Sequence, residues 1–132
     1  MKRLATAEFA ITKWEEKAYS EIAGAYKLTR ASVTKTYRGE IEGEGTLEYL
    51  MAYGSDGSAS FVGIERVVGR VGDRHGSFVF QHVGTFKDGV AKSNWSVVPK
   101  SGTDGLQGLR GDVESSLGHA ASYPVEFSHE FE

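Results

Sequence analysis

Apolar and polar residues alternate with a period of two through most of this chain, and a helical period is nearly absent. The alternation predicts strands at about 5–14, 28–38, 41–53, 58–70, 76–86, 90–98, 108–117 and 121–131. Short turn signals separate them: Gly39-Glu40, Ser55-Asp56-Gly57, Gly72-Asp73, Asp88-Gly89 and Gly118-His119. Residues 15–27 form the one long connection, in which Ser20-Glu21-Ile22-Ala23 suits a helical turn, and residues 99–107, after Pro99, form the other irregular stretch. The spacing predicts an all-β fold, an eight-stranded antiparallel β-barrel in a single domain over residues 1–132. Closure removes the two open edges that a single sheet would leave.

Turn types suggest registers. A two-residue turn at Gly39-Glu40 sets Lys35 opposite Glu44, Thr36 opposite Gly43 and Arg30 opposite Tyr49. The remaining turns set Tyr49 opposite Gly63, Leu47 opposite Glu65, Gly69 opposite Gly76, Gly63 opposite His82, Glu65 opposite Phe80 and His82 opposite Trp95. Two faces follow. One carries Glu42, Glu44, Glu48, Lys35 and Arg66 and reads as solvent-exposed, with opposite charges facing or diagonal. The other carries Leu47, Tyr49, Met51, Phe61, Val67, Phe78, Phe80, Phe86, Trp95 and Val97, joined by Tyr123, Val125, Phe127 and Phe131, and reads as the interior. A one-residue slip at any turn flips a whole strand. Leu50, Val62, Ile64, Val68, Val79 and Val83 fall on the outer face, and such a patch implies a covering partner. A homo-oligomer is expected, or segment 15–27 lying across the patch.

Composition narrows the functional classes. The chain has 132 residues, enough for one core without staples. It has no cysteine, which excludes disulfides, thiolate chemistry and zinc-ribbon sites. The formal net charge of −3 with interspersed signs gives no basic footprint for nucleic acid. The basic pair Lys2-Arg3 has no apolar run behind it, so it is not read as a signal peptide, and no stretch is long and apolar enough for a membrane span. A cytoplasmic protein without a cofactor is expected. The 17 glycines are spread along the chain, as turns and strand bends require.

A few ionisable residues stand among the aromatics of the inner face. With the registers above, Arg30, Tyr49, Gly63, His82 and Trp95 form a belt across five neighbouring strands, with Glu65 one step along the barrel and diagonal to His82. Gly63 leaves a gap between Tyr49 and His82 where a small ligand can enter. A buried charge must be paired, so Glu65, His82 and Arg30 either form a satisfied internal network or await a ligand. In the second case Glu65 and His82 make a general acid–base pair, because His titrates near neutral pH, and Arg30, Tyr49, Gly63 and Trp95 contact the ligand. His129 reads as a rim or packing residue, and His75 and His119 as solvated turn residues. The four histidines lack metal-ligand spacing, so no metal is expected. Gly43-Glu44-Gly45 precedes no helix and is not a phosphate loop. The alternate glutamates 40, 42, 44 and 48 do not converge as a calcium loop does. No nucleophile elbow is present.

Residues 39–111 resemble a bacterial family known as domain-of-unknown-function family 3224. The resemblance is carried by Gly43-Glu44-Gly45-Thr46, Glu48-Tyr49-Leu50-Met51-Ala52-Tyr53, Asp56-Gly57, Phe61-Val62-Gly63-Ile64-Glu65-Arg66, Gly76-Ser77-Phe78-Val79, Gln81-His82-Val83-Gly84-Thr85-Phe86, and Ser101-Gly102-Thr103 through Leu109-Arg110-Gly111. It extends from Phe9 and Trp14 to the last strand. The family's Gly-Thr-Gly turn before the seventh strand reads Gly102-Thr103-Asp104 here, with Gly105 following. The resemblance implies a barrel of the allene oxide cyclase type, similar also to plant dirigent proteins, and carries no activity with it.

Three functions remain open: a barrel that binds a small, mostly apolar molecule, a cyclase or isomerase acting on an apolar substrate, and a structural or oligomeric protein with a filled interior. A cavity reaching Glu65 and His82 favours the first two; a solid interior favours the third.

Overall fold

A computed structural model describes residues 2–132. Eight strands, β1 (Arg3–Ser20), β2 (Lys27–Gly39), β3 (Ile41–Tyr53), β4 (Ala59–Val71), β5 (Arg74–Lys87), β6 (Val90–Val97), β7 (Leu109–Leu117) and β8 (Tyr123–Phe131), run in chain order around a closed barrel. Every pairing is antiparallel, and β8 returns to β1 through pairs such as Ala7 with Val125. Among the described residues the only helical piece is a single 3-10 turn, Asp104–Leu106.

From β3 to β6 the expected registers hold: Tyr49 faces Gly63, Leu47 faces Glu65, Gly63 faces His82, and His82 faces Trp95. The β2–β3 pairing is offset by one residue. Lys35 faces Gly45, not Glu44; Thr36 faces Glu44, not Gly43; Arg30 faces Leu50, not Tyr49. The chain turns through residues 38–42, an odd number, because β1 shapes this corner. Gly39 pairs with Ala7, the Glu40 N–H donates to the Thr6 carbonyl at 3.0 Å, and the Glu40 carboxylate accepts the Thr6 N–H at 2.6 Å. The slip exchanges the faces of β2. Thr29, Ala31, Val33, Lys35 and Tyr37 point inward and are buried, while the Arg30 side chain is 66% exposed and bonds Glu48 at 2.7 Å.

The long connection is also shorter than expected. β1 continues to Ser20 along β2, so only residues 21–26 connect them. In place of a helical turn at 20–23, a tight turn is closed by the Ala25 N–H donating to the Ile22 carbonyl at 3.0 Å. A bulge at Thr12, between the Ile11–Lys35 and Lys13–Thr34 pairs, brings both Ile11 and Trp14 to the interior side. Because residues 15–20 lie beside β2, they do not cover the outer stripe. Leu50, Val62, Ile64, Val68 and Val83 remain exposed in this chain.

The two ends of the barrel differ. The end that carries the chain termini is packed solid by Ala5, Phe9, Tyr37, Ile41, Phe78, Phe80, Trp95, Val113 and Phe127, and the fully buried Leu106 closes it from the 3-10 turn. β6 is short, so the loop behind it completes the hydrogen bonding of β5. The Val79 N–H donates to the Ser101 hydroxyl and the Thr103 N–H to the Ser77 carbonyl. Gly76 permits this approach, since a Cβ there would strike the Thr103 carbonyl.

Asp104, a non-glycine residue in the 3-10 turn, has a φ of 53°. That left-handed conformation is costly for residues with a Cβ, and Asp tolerates it better than most. Asp104→Gly is therefore expected to raise unfolding stability by up to about 1 kcal/mol, measured as an increase in urea midpoint at unchanged slope.

Candidate functional site: an ion-paired floor beneath an apolar cavity

The middle of the barrel is organised around one carboxylate. Glu65 projects inward from β4, fully buried. Its Oε1 accepts the Lys35 ammonium at 3.2 Å and His82 Nε2 at 2.7 Å, and its Oε2 accepts the Tyr37 hydroxyl at 2.6 Å. Gly45, facing Lys35, makes room for this cluster: a Cβ there would press on the Glu65 carboxylate and on the Tyr37 ring. The Lys35 ammonium also lies 4.3 Å from the ring centres of Phe9 and Trp95, a cation–π arrangement on two sides.

Charge state follows from these partners. Burial alone would raise the Glu65 pKa. The Lys35 ammonium and the hydrogen bonds from His82 and Tyr37 overcome it and hold the carboxyl at about 2. Burial lowers the Lys35 pKa against the pull of Glu65, and lowers that of His82 for the same reason, with Lys35 adding repulsion. Tyr37 is pushed well above its ordinary value by burial and by Glu65. The cluster is thus a carboxylate with an ammonium partner, a neutral imidazole and a neutral phenol. Because Glu65 is ionised, His82 donates from Nε2 and keeps its proton there. Its buried Nδ1 is left as an acceptor without a partner among the described residues.

Above this floor the barrel is open. A cavity of about 330 Å³ is walled mainly by apolar and aromatic side chains, among them Phe9, Trp14, Tyr49, Met51, Phe61 and Trp95, with Lys35 as a charged member of the wall. Glu65 and His82 are not in that wall. His82 lies behind the Tyr49 and Trp95 rings, at 5.8 and 4.6 Å between centres. The cavity mouth lies at the end of the β5–β6 and β7–β8 turns, where Gly89, Gly118, His119 and Tyr123 border it. The β7–β8 ladder runs from Leu109–Phe131 to Asp112–Ser128. At the same end of the barrel as the mouth, Glu16 gathers hydrogen bonds from Trp14, Thr29 and Tyr53. Among the described residues no cluster of three His, Asp or Glu side chains is placed to hold a metal.

With the barrel and its floor defined, relatives can be compared. Residues 5–129 match the family described as "Protein of unknown function (DUF3224)". The chain belongs to the DUF3224 family. It is similar to a crystal structure, at 1.84 Å resolution, of a DUF3224 family protein of unknown function from Shewanella oneidensis MR-1. The two share 36% identity and a TM-score of 0.87, over 100% of this chain and 99% of that one. No curated protein matches the chain.

In this DUF3224 barrel the expected site residues separate into three groups. Glu65 and His82 meet, as the β4–β5 register requires, but in the floor. Tyr49 and Trp95 reach the cavity wall. Arg30 leaves the interior because of the one-residue slip of β2. Gly63 opens no gap for a ligand, since the space over it is filled by the Tyr49 ring, whose Cδ1 would lie 2.7 Å from an added Cβ. His129 packs inside, its ring stacked on Phe127 at 5.0 Å. Lys35 and Tyr37 were not among the expected site residues. The alternation Ala31, Val33, Lys35, Tyr37 carried the signal, because it places a lysine in phase with apolar neighbours.

Proposed function

We propose that this barrel binds a small, mostly apolar molecule in the open half of its interior. The cavity carries the proposal: its volume of about 330 Å³ falls within the range of small-molecule pockets, and its wall is dominated by aromatic side chains. The solid half of the barrel supports the same reading, since a rigid floor fixes the depth to which a ligand can descend.

Cyclase or isomerase chemistry draws less support from the geometry. Glu65 stays ionised far below neutral pH and is occupied by three partners, so it is a poor proton donor, and neither it nor His82 lies in the wall. The allene oxide cyclase type of barrel remains our reading of the architecture, supported by the closed eight-stranded order, and extends no further than fold.

The neutral fluorophore N-phenyl-1-naphthylamine tests binding, with energy transfer from Trp14 and Trp95 as the signal. We expect saturable binding at one site. Ala91→Trp, which fills the cavity from β6, should weaken it by at least about tenfold. Val62→Ser, on the exposed outer stripe, should leave it unchanged. Absence of saturable binding, or loss in Val62→Ser and not in Ala91→Trp, would overturn the proposal.

A further inference from the structure

Building on the cavity reading above, we propose that Lys35 captures an apolar aldehyde in this cavity as a protonated imine, with Glu65 as its counter-ion. Every other lysine of the chain is exposed, whereas the Lys35 side chain is 2% exposed yet forms part of the cavity wall. The two rings that flank its ammonium, Phe9 and Trp95, belong to the same wall, so the nitrogen sits where an apolar ligand ends its descent. Burial lowers the Lys35 pKa, which makes its free amine more accessible near neutral pH than that of a solvated lysine.

The charge pairing selects the chemistry. An amide or ester-derived adduct would make the nitrogen neutral and leave Glu65 buried without its cation, at a cost of several kcal/mol. A protonated imine keeps the positive charge on the same nitrogen, 3.2 Å from Glu65 Oε1. In the first step the ammonium passes one proton to the aldehyde oxygen, and the freed amine attacks the carbonyl carbon. The new C–N bond forms as the C=O π bond opens, giving a carbinolamine protonated on nitrogen. A proton then shifts from that nitrogen to the hydroxyl, which leaves as water, and the nitrogen lone pair closes the C=N bond. One aldehyde is consumed, one water is released, and the positive charge stays on the Lys35 adduct beside an ionised Glu65 throughout. The apolar wall disfavours the returning water that would hydrolyse the product. The tail of the aldehyde lies among Tyr49, Met51, Phe61 and Trp14 on the way to the mouth.

Cinnamaldehyde with sodium cyanoborohydride tests this on the unaltered protein, because reduction converts the imine into a stable secondary amine. Peptide mapping by mass spectrometry should find one adduct, on Lys35, formed at least about tenfold faster than on any exposed lysine. Denaturing the chain first should abolish that preference. A competition with N-phenyl-1-naphthylamine separates this proposal from the one it rests on. Fluorophore displaced by the aldehyde without label on Lys35 overturns imine capture and leaves the cavity site standing. A fluorophore that does not bind at all overturns both. Lys35→Met paired with Glu65→Gln, which removes both charges together, should form no buried adduct. Labelling of the double variant at the wild-type rate would also overturn the proposal.

Discussion

Glu65→Gln is expected to destabilise the barrel by about 3–5 kcal/mol, as a lowered midpoint in urea unfolding at unchanged slope. The substitution preserves shape and some hydrogen bonding, so the loss measures charge. Lys35 would keep its ammonium between the Phe9 and Trp95 rings with no counter-ion, or would have to lose its proton in order to fold. His82 and Tyr37 would compete for one amide oxygen where they now have a carboxylate. Adding Lys35→Met to Glu65→Gln should recover part of the loss, because the uncompensated charge goes with the lysine. The double variant should be more stable than Glu65→Gln alone, by about 1–3 kcal/mol in a double-mutant cycle. A cost for Glu65→Gln below about 1 kcal/mol, or a double variant whose two losses simply add, would show that the pair does not hold the barrel together.

How far the sequence reveals this arrangement can be judged residue by residue. Strands β3 to β6 are legible because their registers are set by local turns, and Glu65, His82 and Trp95 follow from them. β2 is not, because its corner is fixed by a distant partner: Thr6 and Ala7 of β1 bind Glu40 and Gly39, and no local turn rule contains β1. The hydrophobic alternation of β2 nonetheless pointed the right way, with Thr29, Ala31, Val33 and Tyr37 on one face. A two-residue turn at Gly39-Glu40 contradicts that alternation, because it sets Lys35 opposite Glu44 and turns it outward. The physical lesson is that a lysine in phase with buried apolar residues signals a buried partner elsewhere, here a glutamate two strands away. The extension of β1 through Glu15, Glu16 and Lys17 was hidden for a related reason. Those polar residues are held as a strand by the ladder to β2, not by burial of their own. The depth of the cavity is likewise a property of packing, since it depends on how Tyr49 fills the space over Gly63.

The same cluster should make the protein's stability fall as the solution is acidified, in two stages. The His82 pKa lies below its usual value near 6.5 in the folded barrel, because burial and then Lys35 oppose its charge. Below about pH 6.5 the unfolded chain therefore takes up a proton that the folded one refuses, and stability declines. Glu65 follows. Its folded pKa of about 2 lies below the unfolded value near 4.5, so its contribution is fully present above pH 4.5 and is lost as pH falls toward 2. The interval corresponds to about 3 kcal/mol. Glu40, Glu48 and Asp56 are also held low by hydrogen bonds, but they lie at the surface, where salt screens their ionic contributions. Melting temperatures measured from pH 8 to pH 3 in high salt should thus stay level at first, dip below about 6.5 and fall more steeply below 4.5. In Glu65→Gln the steeper fall should flatten, because the group responsible no longer titrates. A wild-type profile level down to pH 3, or one whose lower limb is unchanged in Glu65→Gln, would mean that Glu65 is not the buried carboxylate that ties Lys35, Tyr37 and His82 together.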